Sequence, residues 1–134
     1  MALKTKTFTQ TIFLDAAPEE VYDAFMNSKK HSEITQDKAV ISPKVGGKFT
    51  AFSGYAFGKN LKLIRGKKIL QEWQTTEWPR GYPPSRFELK LKKNDNGTEV
   101  TMIHSKVPAE QANDYKIGWI DFYWTPMKKY FEKK

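Results

Sequence analysis

The chain has no cysteine. Disulfides, thiolate nucleophiles and cysteine-based metal sites are excluded at once. Histidine is scarce too: only His31 and His104 occur, and neither sits in HExxH or a comparable ligand spacing. No GxSxG elbow surrounds a serine. The glycines of VGGKF lack the lysine and spacing of a phosphate loop, so we read them as turn and bulge residues. No apolar run approaches the roughly 20 residues that a membrane-spanning helix needs. The opening MALKTKTFTQTIFLD lacks the apolar core and cleavage site of a signal peptide. Repeats, linkers and low-complexity segments are absent. We therefore expect a cytoplasmic protein without membrane association, with no catalytic residue, no metal and no cofactor.

What the chain does have is a globular composition. Its 134 residues are 39% hydrophobic, 14% aromatic and 28% charged, enough for one domain, 1–134, with one core. The formal charge is +8, which raises nucleic acid or an acidic partner as binding candidates. The lysines are dispersed, however. Lys90 and Lys92 alternate with Leu89 and Leu91, as on a solvated sheet face. We expect no specific nucleic-acid binding.

Residues 3–14 read as a strand. DAAPEEVYDAFMNS then starts a helix, with Asp15 as cap, Pro18 in the first turn, and Glu19 and Glu20 at the positive end of the helix dipole. A second short helix spans 29–35, where His31 sits among polar residues and reads as a surface side chain. A run of strands follows. One region, GYAFGKNLKLI, bends at Gly58. KKILQEWQTTEW places Ile69, Gln71, Trp73 and Thr75 on one face. SRFELKLKK turns Phe87, Leu89 and Leu91 inward. NDNG signals a hairpin, and TEVTMIHS puts Val100, Met102 and His104 together. Short turns between consecutive strands imply an antiparallel meander. If the stretch QEWQTTEWPRG is a strand, an odd spacing sends Trp73 and Trp78 to opposite faces.

The last segment, about 109–132, is a long helix. Ala112, Tyr115, Trp119, Phe122, Pro126 and Tyr130 form one stripe. Ile120, Trp124, Met127 and Phe131 form a second, giving a wide buried face. Pro126 predicts a kink.

The ordered motifs VGGKF, KKILQEW, EWPRG, NGTEVT, VPAEQ and GWIDFYWTPMKKYF resemble the C-terminal domain of the activators of the heat-shock protein 90 ATPase. That domain belongs to the START and birch-pollen-allergen-like superfamily. The resemblance spans nearly the whole chain. It implies an α+β helix-grip fold: two short helices after the first strand, and a curved antiparallel sheet wrapped around a long C-terminal helix. It puts Trp73 under that helix and Trp78 at a strand end. Full-length activators carry a separate N-terminal domain needed for strong stimulation, and 134 residues leave no room for it. The resemblance therefore implies a non-catalytic, co-chaperone-like interaction domain that activates weakly alone.

A carrier or sensor of a small hydrophobic ligand, held between sheet and helix, is the alternative. Its cavity would be lined by Phe25, Phe49, Gln71, Trp73, Phe87, Met102, His104, Trp119 and Tyr123. The same side chains would instead fill the grip if it is solid. Gln71, Thr75 and His104 are the polar candidates there. His104 reads either as a core histidine satisfied by backbone or as an anchor for a ligand head group. The two partners left open are a chaperone and a small hydrophobic ligand.

Overall fold

The computed structural model describes residues 3–132. Seven strands form one sheet: β1 (Thr5–Leu14), β2 (Val40–Ile41), β3 (Lys48–Ala51), β4 (Ala56–Ile64), β5 (Lys68–Thr75), β6 (Ser85–Asn94) and β7 (Gly97–Pro108). Their order is β1-β7-β6-β5-β4-β3-β2 and every pairing is antiparallel. The sheet is thus the expected meander from β2 to β7, closed by the first strand against the last. Helices α1 (Pro18–Met26) and α2 (Ser28–Thr35) follow β1. No helix among the described residues is long and apolar enough to cross a membrane.

Period-two alternation fixes the faces. Ile69, Gln71, Trp73 and Thr75 are buried along β5, as are Phe87, Leu89 and Leu91 along β6 and Val100, Met102 and His104 along β7. The NDNG hairpin pairs Asn94 with Gly97, with Asp95 at φ 54°. Gly58 is not a bend. It lies mid-strand in β4 opposite Trp73, where an added Cβ would sit 1.9 Å from the Glu72 carbonyl oxygen. Glycine is needed there for close strand approach. The irregularity in β4 falls two residues later, between Asn60 and Lys62. The α1 cap is also displaced from Asp15. Ala17 holds the cap position, and its N–H donates to Glu20 Oε1 at 2.9 Å.

The C-terminal helix begins at residue 112, not 109, and is composite. Helix α3 (Ala112–Trp119) passes into a π-helical turn (Ile120–Trp124), then into α4 (Thr125–Phe131). The Thr125 N–H bonds the Ile120 carbonyl, five residues back. The expected discontinuity at Pro126 thus takes the form of a wide turn just ahead of it. The extra residue per turn shifts the buried stripe. Tyr115, Trp119, Tyr123 and Met127 point inward at four-residue steps, joined by Trp124. Phe122 and Ile120, assigned to the buried stripes by a uniform 3.6 period, are turned out at 59% and 45% exposure. Gln10 on β1 clamps the change of geometry. Its Oε1 accepts from Trp124 Nε1 at 2.7 Å, and its Nε2 donates to the Lys116 carbonyl at 2.9 Å.

Candidate functional site

The middle of the grip is filled. Phe87 stacks on Trp119 with centroids 4.7 Å apart, and Trp119 packs against Tyr123 at 4.6 Å. Phe25 stacks on Tyr123 at 5.7 Å. Phe49 and Met102 are buried core residues.

The polar candidates are spent on internal bonds. Gln71 Nε2 donates to Asn60 Oδ1 at 2.9 Å, while Asn60 Nδ2 donates to the Ser42 and Lys44 carbonyls. Gln71 therefore braces the loop beside the β4 irregularity. His104 is fully buried. It is satisfied by side chains rather than by backbone: Trp119 Nε1 donates to its Nδ1 at 3.1 Å, and its Nε2 lies 2.8 Å from Ser85 Oγ. Burial holds its pKa down at about 3.

His31 corrects the surface reading. It is only 6% exposed, because His31 and Ile34, three residues apart on α2, face the core. Its Nδ1 donates to the Phe25 carbonyl at 3.1 Å, since a carbonyl only accepts. Its Nε2 therefore accepts from the Tyr123 hydroxyl at 2.9 Å. Burial lowers the His31 pKa and raises that of Tyr123.

Open space lies at one end of the grip, not along its centre. A cleft of about 350 Å³ is bounded by the turn after β3, the end of β5, α3 and the π turn. Of the nine expected lining residues only Trp73, Trp119 and Tyr123 reach it. Phe52, Tyr55, Ala56, Glu77, Gln111, Asp114, Tyr115, Gly118 and Phe122 complete its wall. A closed circle of hydrogen bonds joins its two sides. The Glu77 N–H donates to Thr75 Oγ1 (3.2 Å), which bonds the Tyr115 hydroxyl (2.7 Å). That hydroxyl donates to Gln111 Oε1 (2.9 Å), and Gln111 Nε2 returns to the Glu77 carbonyl (2.7 Å).

Trp73 and Trp78 do meet, contrary to the strand-parity expectation. The strand ends at Thr75, so parity no longer applies. Trp78 folds back to lie 6.1 Å from Trp73 and 5.8 Å from Tyr115. On the opposite wall, Phe52 and Ser53 adopt left-handed backbone conformations (φ 54° and 57°). The Ser53 N–H donates to the Lys38 carbonyl at 2.9 Å and holds the turn in place. Phe52 is thereby set edge-on to both Phe122 and Tyr123. Two consecutive non-glycine residues at positive φ store strain beside the cleft, and such strain clusters at functional sites.

A seven-stranded antiparallel sheet gripping a broken C-terminal helix, with a mouth at one end, defines a START-like helix-grip domain. Within that class, the chain belongs to the family described as activator of Hsp90 ATPase homolog 1-like protein, whose model matches residues 15–132. It is 28% identical over 116 residues to the activator of 90 kDa heat shock protein ATPase homolog of Dictyostelium discoideum, covering 86% of this chain and 30% of that protein. It is also 28% identical to homolog 1 of Homo sapiens, over 86% of this chain and 34% of that one. The chain thus spans about a third of the length of these curated relatives. A crystal structure of an HSP90 activator from Plasmodium falciparum superposes with a TM-score of 0.83 at 23% identity, covering 89% of this chain and 91% of that one. The Aha1 dimer from Colwellia psychrerythraea gives 0.80 at 19%, covering 96% and 98%. At these identities the two structures establish the fold.

Proposed function

We propose that residues 1–134 act as one cytoplasmic, non-catalytic interaction domain of the Hsp90 ATPase activator family, binding the chaperone without strongly activating it alone. The observation that carries this reading is the filled grip. Its buried polar groups, Gln71, Thr75, His104 and His31, are bonded to neighbouring side chains or backbone, which leaves the surface and the mouth for binding. A steady-state ATPase assay of the chaperone with excess chain should show little or no stimulation, while calorimetry of the same mixture detects binding. Robust, saturable stimulation, or no heat of binding, would overturn this reading.

A second reading is favoured by the cleft itself: a site for a small, largely apolar ligand, walled by Trp73, Tyr115, Trp119 and Phe122. Aromatic walls with a few fixed polar groups are the usual make-up of such a site. Gly118 offers a clean test. A Cβ there would meet only Phe122 Cδ2, at 3.8 Å, so a larger side chain enters open space. Gly118→Leu should retain or raise thermal stability, since glycine inside a helix costs about 1 kcal/mol. It should also abolish quenching of tryptophan fluorescence by an aromatic probe that binds the parent. Unchanged quenching in the variant would remove the cleft as the binding site.

A further inference from the structure

The charged side chains of the cleft run against the charge of the whole molecule. The chain carries +8, yet among the described residues the charged side chains that line the cleft are Glu77 and Asp114. Among the described residues, no lysine or arginine lines it. Glu77 follows β5 on one side, and Asp114 lies in the first turn of α3 on the other.

Glu77 is exposed but tethered. Its backbone belongs to the hydrogen-bond circle described above, and its Oε1 accepts from the Tyr55 hydroxyl at 2.8 Å. Trp73, Tyr115 and Trp119 line the same cleft. Their ring faces carry negative electrostatic potential, so carboxylates and rings favour the same sign of guest. A cleft with low-dielectric walls concentrates such a field, whatever the net charge outside it.

We propose that the cleft takes an organic cation: a molecule with an apolar or aromatic body and one ammonium group. This deepens the second reading of function and rests on it. The body is buried against the indoles, and the ammonium lies near the ring faces and between the carboxylates. A fatty acid or other apolar anion would meet two like charges at the mouth.

Three benzyl probes of different charge, the cation and the neutral one isosteric, test this. They are benzyltrimethylammonium, its uncharged carbon isostere neopentylbenzene, and phenylacetate, each titrated by tryptophan fluorescence and calorimetry. The cation should bind about tenfold or more tighter than either of the others, a margin typical of a desolvated cation over aromatic faces. Added salt should weaken the cation and leave the neutral probe unchanged. The double variant Glu77→Gln, Asp114→Asn keeps the shapes and the Tyr55 acceptor. It should lose about tenfold in cation affinity, as for removal of a charge-assisted contact, and none for the neutral probe.

Neutral or anionic probes binding as tightly as the cation would overturn the inference while leaving the cleft as a ligand site. So would a double variant with undiminished cation affinity. Failure of all three probes to bind at millimolar concentration would remove the inference and the second reading together.

Discussion

Trp119→Ala is expected to lower the unfolding free energy by about 3–5 kcal/mol, the range for truncating a buried tryptophan. The side chain is 4% exposed. Its ring stacks on Phe87, with the planes 9° apart, and packs against Tyr123 and Trp73. Truncation removes those contacts and also the N–H that donates to His104 Nδ1. An abandoned buried acceptor costs about 1–3 kcal/mol in its own right. Domains of this size have total stabilities of about 5–15 kcal/mol, so the variant sits near the edge of folding. A denaturant melt is the measurement. A loss well under 1 kcal/mol would show that Trp119 does not anchor the helix to the sheet. Trp119→Phe keeps an aromatic ring in the stack while removing the donor and part of the indole's packing. Its cost should fall in the lower range.

The order of elements was legible because it rests on local patterns. Alternation along β5, β6 and β7 identified most inward residues, His104 among them, but not the buried Ser85, Thr98 and Val107, and NDNG located the hairpin. The helix-grip class followed from that order and from the family resemblance. What escaped was everything that breaks a fixed period. The π turn adds a residue that no 3.6-residue template contains, so Phe122 and Ile120 were assigned inward. Phe122 instead became part of the mouth. The strand end at Thr75 voided the parity rule for Trp78. The inward faces of strands and helix point to the filled middle of the grip, and the cleft lies at its end. Tyr55, Glu77 and Gln111 lie in turns or at a helix start, where position depends on long-range bonds. A signal for Phe52 was present only as the polar turn it begins. His31 was recoverable: its three-residue spacing to Ile34 is a helical face, and the polar neighbours on either side obscured it.

The second large effect concerns pH and His104. Its hydrogen bonds determine its tautomer. The Trp119 indole can only donate, so Nδ1 must be bare, and Nε2 carries the hydrogen toward Ser85 Oγ. Ser85 in turn donates to the Trp73 carbonyl at 2.6 Å. A second proton on Nδ1 would face the indole N–H, in a site without solvent. Burial accordingly depresses the pKa to about 3 in the folded state, against about 6.5 for the unfolded chain. Between those values the unfolded chain binds a proton that the folded chain refuses. Stability therefore falls as pH falls, by about 1.4 kcal/mol per unit from this residue. From pH 6.5 to 5 the loss should reach about 2 kcal/mol. His31, whose pKa burial also lowers, adds to it in the same direction. Melts of the parent and of His104→Leu at pH 7, 6 and 5 should show the steeper decline in the parent. The variant leaves the Trp119 N–H without its acceptor and Ser85 Oγ without the hydrogen it accepts, while Ser85 still donates to the Trp73 carbonyl, so it starts from lower stability. Nitrogen-15 NMR of the imidazole supplies a measurement on the intact protein. It should report the Nε2–H form, neutral at pH 5. A ring that carries its hydrogen on Nδ1, or that titrates near 6.5, would contradict the relay from Trp119 through His104 and Ser85 to the backbone of β5.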